Sequence, residues 1–390
     1  MAKAVAGSVV LEVDVFAQTA APDYWNWSVP AHRTVTRAAR ALDEDGIGAL
    51  AVRPQETPGD GAVHHELVRK VAHYFASENP DKPSELCVAA MEAEKLSRLI
   101  VHVGEAWRPG PADEVPIAAA VPNAPPPRAG EPVDAAVVIP FRGSGGTARL
   151  RNLRWVLASL NDQTAGRSRY RIVVVETDEV PRWRQETQPL CDTYLHAYND
   201  GRFNKAWAVN VGVVHGAAPA EAVCVLDADI LVDRDFVARA LARFGEPGTQ
   251  AHWPFQDLLF LDEDSSRRAI RNRCVSGRPE VDQRLLRGVY LRRPPGGCLW
   301  LRTSLFRRIG GMDERFAGWG GEDQDFEWRV DRYGALDRHA DPIVHLDHPR
   351  AQYRADDGTP FFEEIGFCSW PCDSAIGDLG RYELDRRGRV

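Results

Sequence analysis

The sequence predicts an α/β layer fold, with a mostly parallel central sheet and flanking helices, joined to a mainly helical N-terminal domain. Three observations carry this expectation. From Val133 onward, short apolar strand patterns alternate with helical stripes, as they do in βαβ units. Residues 1–110 hold helical spacings instead. Between the two, residues 108–132 contain eight prolines, a density that resists helix and sheet and favours extended linker. The expected division is an accessory domain over 1–110, a linker over 111–132, an α/β domain over 133–350, and a packing segment and tail over 351–390.

Taken in order, residues 9–16 alternate apolar and acidic side chains and read as a strand. Residues 31–42 read as a helix entered after Pro30, and 64–77 as another. Residues 84–103 read as a helix because Leu86, Ala90, Ala93, Leu96 and Ile100 recur at helical spacing. Trp25 and Trp27 are expected to pack inside. His64 and His65 are adjacent, cannot share a helix face, and predict no metal site. In the α/β domain, residues 135–139 and 171–175 are buried strands, the second ending in Glu176. Residues 149–160 form a helix with Leu150, Leu153, Val156, Leu157 and Leu160 on one stripe. Residues 203–214 are helical. The charged stretch 254–295 reads as a surface excursion or flap. Gly296 and Gly297 allow either a turn or a close approach of backbone to a ligand. The aromatic tail residues Phe361, Phe362, Phe367 and Trp370 are expected to pack.

Composition narrows the class. The chain has 390 residues, is 44% hydrophobic and carries a net charge of −8. That argues against a general nucleic-acid binder, which would be basic. The seven cysteines include no Cys-x-x-Cys pair. Cys224 and Cys298 lie in apolar runs, and the lone pair Cys368 and Cys372 does not make a zinc site. No apolar stretch reaches membrane-spanning length, and the N-terminus shows no leader pattern, so a soluble, cytoplasmic protein is expected.

The stretch Val223-Cys-Val-Leu-Asp227-Ala-Asp229-Ile-Leu-Val232 is the centre of the chemistry. In an extended chain Asp227 and Asp229 point to one side. Two hard oxygen donors at a strand end suit Mg²⁺ or Mn²⁺, which usually also hold substrate phosphates. The plain alternative is an acidic turn. Further along, Gly318-Trp319-Gly-Gly-Glu322-Asp323 precedes a helix. Acids in a first turn complement the helix dipole, and Asp325 can simply pair with Arg329. A tryptophan between glycines beside an acid cluster suits a lid instead. His345, after Ile343 and Val344, emerges at a strand end, with His348 close by. Histidine is a usual third partner for Mn²⁺ beside two aspartates.

Five blocks in order resemble a glycosyltransferase of the GT-A fold, near the β-1,4-galactosyltransferase catalytic domain and the bacterial family 2 glycosyltransferases. They are Val138-Ile-Pro140-Phe141-Arg142, Phe203-Asn-Lys205-Ala with Val209-Asn-Val-Gly212, Asp227-Ala-Asp229, Gly318-Trp-Gly-Gly-Glu-Asp323, and His345. The resemblance implies that Pro140, Phe141, Arg142, Phe203 and Lys205 contact a nucleoside diphosphate. It also implies that Asp227, Asp229 and His345 bind Mn²⁺ (or Mg²⁺), with His348 as the substitute. Trp319 would close on donor and acceptor, Glu322 would orient the acceptor, and Asp323 would be the general base. Gly297 and Glu176 are added as donor-site candidates. The expected partners are a nucleotide-sugar donor, with UDP foremost, and a small-molecule, glycan or protein acceptor. A homo-oligomer through the N-terminal domain is a further expectation. The chain departs from the family after Arg142, where Gly143-Ser-Gly-Gly146 replaces a second basic residue.

The chemistry agrees with that assignment. A leaving diphosphate needs its developing charge neutralised, and an acceptor hydroxyl needs a carboxylate base. Base and leaving group on opposite sides give in-line, inverting transfer of a hexose. Two other readings compete. Gly143-Ser-Gly-Gly-Thr-Ala148 formally meets a dinucleotide fingerprint, with Glu176 as ribose acid, which would make an NAD(P)-dependent oxidoreductase. The chain could also be a non-catalytic nucleotide-sugar-binding protein.

Overall fold

The computed structural model describes residues 1–42, 46–55, 60–116, 131–143, 147–217, 219–349, 359, 361–362 and 364–383. The N-terminal part runs α1 (Ala2–Val13), α2 (Val15–Ala20), α3 (Pro22–Arg40), α4 (Ile47–Val52), α5 (Gly61–Ser77), α6 (Glu85–Leu96) and β1 (Leu99–Val103). Val5, Val9, Val35, Leu67, Val71 and Ala90 form the helical core.

Three expectations change here. Residues 9–16 are helical, not a strand. Helix α1 is buried continuously from Val5 to Leu11, so it lacks the one-sided stripe of a surface helix. The Asp14 carboxylate then caps α2 through the Phe16 and Ala17 N–H groups. Residues 84–103 divide into α6 and β1. Ser84 caps α6 at Cys87 N–H, and the β-branched run Leu99-Ile-Val-His-Val leaves the helix for a sheet. Trp27 is 77% exposed, whereas Trp25 stacks on the buried His32 at 5.7 Å. His65 bonds the Val103 carbonyl rather than joining a metal cluster.

The second part runs β2 (Val133–Phe141), α7 (Thr147–Asn161), β3 (Tyr170–Asp178), α8 (Arg184–Thr187), β4 (Thr193–Tyr198), α9 (Lys205–Val211) and β5 (Ala220–Leu226). It continues β6 (Ile230–Leu231), α10 (Phe236–Phe244), β7 (Ala251–Trp253), β8 (Asp257–Leu261), α11 (Glu263–Ile270), β9 (Arg287–Arg292) and β10 (Cys298–Arg302). It ends with α12 (Thr303–Arg308), α13 (Glu322–Tyr333), β11 (Leu336–Arg338) and β12 (Val344–His345). The larger sheet has the order β11-β7-β10-β5-β2-β3-β4. Strands β5, β2, β3 and β4 are parallel, and β10 runs against both its neighbours. This is the expected α/β architecture. Its valine-rich strands read as apolar runs because both faces are covered.

A second sheet has the order β1-β9-β8-β12-β6. Residues 254–295 are therefore not a surface flap. They supply β8, α11 and β9, with Leu258, Leu259, Leu261, Val289 and Leu291 buried. The charge that suggested a flap is spread along the segment, and part of it builds α11, whose N-cap Asp262 accepts from Ser265 N–H at 2.8 Å. Strand β1 pairs with β9 over five residues, so the N-terminal part completes a sheet of the second part. Phe260 on β8 packs against the cluster of Leu11, Val101 and Val289 and stacks on His345 at 4.2 Å. Residues 117–130 of the expected linker lie outside the described residues. The stretch before them is fastened to α11, where Ala112 N–H donates to Asp264 and Arg268 to the Gly110 carbonyl. Among the described residues, no helix is long and apolar enough to cross a membrane.

Arg287 also joins the two parts. Its guanidinium meets Asp14 before α2 and Asp262 before α11, with only 11% of the side chain exposed. Removing one partner of a buried ion pair leaves uncompensated charge. Arg287→Ala is expected to cost about 3–5 kcal/mol of stability, read as a lower urea midpoint.

Candidate active site

Asp227 follows the last residue of β5, and its N–H bonds the Gly297 carbonyl at 2.9 Å. Lys205 opens α9, where Asn204 caps the helix through Trp207 N–H. The Lys205 ammonium lies 2.6 Å from Asp227 and 2.8 Å from Asp323. One buried cation thus ties the strand-end carboxylate to the first turn of α13. Burial opposes the charged form of Lys205, but the Asp227, Asp323 and Glu322 carboxylates outweigh it and raise its pKa. Asp227 moves the other way. Burial, Asp323 and Asp229 push it up to about 6 against the pull of Lys205.

The loop before α13 needs its glycines. Gly318, Gly320 and Gly321 have φ of 107°, 108° and 87°, a region that side-chain-bearing residues rarely adopt. A Cβ would also strike Phe361 at Gly318 and Phe362 at Gly320. Gly318 N–H bonds the Phe203 carbonyl at 2.8 Å, which pins the loop beside α9. Trp319 is half exposed between these glycines. Glu322 is buried, and among the described residues its Oε2 takes no hydrogen bond. Burial, reinforced by Asp323, pushes its carboxyl up to about 8.

Asp229, His345 and His348 form a second cluster, with one ligand atom from each lying within 4.8 Å of the others. His345 Nε2 is 3.5 Å and His348 Nε2 is 2.9 Å from the Asp229 carboxylate. His348 Nδ1 donates to the Pro349 carbonyl at 2.8 Å. With Nδ1 so engaged, Nε2 is the ring nitrogen that faces Asp229, and a backbone carbonyl orients the ring as it does for metal-ligating histidines. Among the described residues Asp229 Oδ1 accepts no hydrogen bond. Burial would raise the Asp229 pKa, but His345, His348 and, beyond them, Arg149 outweigh it and hold the carboxyl far below the usual range. Two imidazoles and a carboxylate fit a divalent cation such as Mn²⁺. Asp227, by contrast, is engaged with Lys205, and His348 joins His345 rather than substituting for it.

The outer candidates divide. Phe203 contributes its carbonyl to the loop, and its ring lies 5.7 Å from the Arg142 guanidinium. Arg142 donates once from each of its three nitrogens to the carbonyls of Thr177, Gly201 and Asn199, so backbone fixes the direction of its guanidinium. Pro140 and Phe141 are buried at the end of β2. Glu176 is fully buried and accepts from Tyr194 and Trp183 N–H, which removes the ribose acid that the dinucleotide reading required. Residues 144–146 of that reading lie outside the described residues. Gly297, at φ 102°, presents its carbonyl to Asp227. Its neighbour Gly296, paired with it in the sequence as a turn or a close backbone approach, meets a side chain of the chain itself: a Cβ there would stand 2.2 Å from Asp323 Oδ2. Arg151 and Asn152 on α7 are not among the sequence candidates. They hold the Asp347 carbonyl beside His348 and carry no local sequence signal.

Two tests follow from this geometry. Gly296→Ala is expected to push Asp323 off Lys205, lowering turnover about tenfold or more and costing about 1–3 kcal/mol of stability as the buried ammonium loses a partner. Glu322 has a folded pKa above its unfolded value, so its ionisation is disfavoured in the folded state. Stability should fall as pH rises from about 4.5 to about 8. Glu322→Gln should flatten that slope in denaturation curves taken across this range.

Residues 136–310 match the family described as glycosyl transferase family 2, and residues 291–346 match that described as the N-terminal domain of galactosyltransferase. No curated protein matches the chain. Among solved structures it is similar to the catalytic domain of Drosophila beta1,4galactosyltransferase 7 in complex with xylobiose. That match has 17% identity, covers 58% of this chain and 77% of that one, and has a TM-score of 0.35. The mannosyltransferase PcManGT from Pyrobaculum calidifontis, in complex with GDP-Man and Mn²⁺, is 18% identical over 61% of this chain and 60% of its own, with a TM-score of 0.36. S. aureus TarS 1-349 is 14% identical over 55% and 60%, with a TM-score of 0.38. Both family matches have glycosyl transfer as their reaction class, and the resemblance of this chain to the GT-A glycosyltransferases, drawn from five short blocks, holds over residues 136–346.

Proposed function

We propose that the chain transfers a hexose from a nucleoside-diphosphate sugar, UDP foremost, to an acceptor hydroxyl with inversion at the anomeric carbon. The observation that carries this reading is the Lys205 bridge between Asp227 and Asp323. It sets a strand-end carboxylate and a helix-start carboxylate on one site, beside the cluster of Asp229, His345 and His348.

In this reading Asp323 takes the acceptor proton as the acceptor oxygen bonds to the anomeric carbon. The bond from that carbon to the phosphate oxygen breaks, and its electron pair leaves with the diphosphate. Lys205 carries positive charge to the leaving-group side. Glu322, protonated below about pH 8, donates a hydrogen bond to an acceptor oxygen from its Oε2. Trp319 covers the reacting groups and excludes water. Asp229, His345 and His348 would hold a Mn²⁺ or Mg²⁺ ion, which neutralises diphosphate charge when bound.

Calorimetry with UDP and GDP, with and without Mn²⁺, tests the donor. Tight binding that requires Mn²⁺ and disappears in Asp229→Ala supports the reading. Metal-independent NAD binding with no nucleoside diphosphate bound would sink it. Asp323→Asn should lower transfer by about 10²-fold or more while leaving UDP affinity within a few-fold. A binding protein without catalysis would show no transfer to lose.

A further inference from the structure

A nucleoside diphosphate entering this site meets Asp227, Asp229, Glu322 and Asp323, four acidic side chains. Lys205 already pairs with two of them. Arg142 has turned its donors to three backbone carbonyls. The sequence after Arg142 offers Gly143-Ser-Gly-Gly146 and no further cation. A diphosphate beside these carboxylates needs a cation in addition to the metal.

The first two turns of α7 hold one. Arg149 donates through Nη2 to the Pro349 carbonyl at 3.0 Å. That same carbonyl receives His348 Nδ1, and His348 Nε2 faces Asp229. The guanidinium is therefore one imidazole away from the metal-type cluster. Arg149 is half-buried, and among the described residues its Nε and Nη1 donate no hydrogen bond. Its neighbours Arg151 and Asn152 are turned to the Asp347 carbonyl, which fixes the loop without Arg149. Arg149 therefore has donors left for a ligand at the cluster. A guanidinium fork also matches phosphate oxygens in a way an ammonium does not.

We propose that Arg149, and not Arg142, is the arginine that pairs with the donor's diphosphate beside Asp229, His345 and His348. This rests on the nucleotide-sugar reading above. The assignment places the missing basic residue of the nucleotide turn seven positions beyond Arg142, on a helix rather than in the loop.

The test is calorimetry on the full chain with three probes: UDP with Mn²⁺, UMP with Mn²⁺, and Mn²⁺ alone. Arg149→Gln should weaken UDP about tenfold or more, the loss of a charge-assisted contact. It should weaken UMP by less. It should leave Mn²⁺ alone unchanged or tighter, because a positive charge leaves the vicinity of the cation. Arg149→Lys should recover part of the UDP affinity. Unchanged UDP affinity in Arg149→Gln overturns the proposal while leaving the donor reading intact. Equal weakening of Mn²⁺ alone and UDP also overturns it, since Arg149 would then only support the His348 loop. Failure of the unaltered chain to bind UDP or GDP overturns the donor reading and this proposal together.

Discussion

The site depends on one buried ammonium. Lys205 sits between Asp227 and Asp323 with 9% of its side chain exposed. Taking an ammonium out of water is costly, and two flanking carboxylates repay that cost only when the geometry is close. Much of the local backbone serves that closeness. Asn204 caps α9 so that Lys205 starts the helix facing the strand end. Gly296 has no Cβ to hold Asp323 away. The Gly318 N–H bond to Phe203 brings the glycine loop against the same helix.

The second cluster depends on a different part of the chain. His345 lies on β12, between β8 and β6. Its ring stacks on Phe260, and Phe260 in turn packs against residues from α1, β1 and β9. The five-stranded sheet therefore runs from the N-terminal part to the histidine without a break. The helical N-terminal part is thus a wall of the site's scaffold. The C-terminal segment plays a comparable part on the opposite side. Trp207 Nε1 donates to the Asp378 carbonyl, Tyr382 reaches Asn204, and Trp370 bonds the Gly310 carbonyl. These contacts hold the segment against α9 and against the turn at Gly310.

Charge is distributed unevenly between the two clusters. Around Lys205 three carboxylates share one cation, and both Asp227 and Glu322 rise in pKa as a result of burial and mutual repulsion. Around Asp229 two imidazoles and Arg149 draw the carboxyl down. The first environment keeps protons available near neutral pH, and the second keeps a carboxylate ionised. Acid–base work and cation binding need these opposite conditions, only two residues apart in sequence between Asp227 and Asp229.

Much was legible from the sequence. The alternation from Val133 predicted the parallel strands because strands covered on both faces must be apolar throughout. The spacing of Asp227 and Asp229, the run Gly318–Asp323 and the position of His345 named most of the residues that the structure gathers. Local pattern failed where burial is not one-sided or where partners lie far apart. Helix α1 is covered all round, so its residues mimicked a strand. The segment 254–295 looked like a flap because its many charges outweighed strands whose partners come from residues 99–103 and 344–345. Arg142 looked like a phosphate ligand until three distant carbonyls took its donors. Residue type and spacing determined which chemistry this protein carries. Only the tertiary structure decided which side chains remain available for it, because hydrogen bonds and ion pairs between distant segments consume donors that sequence alone leaves open.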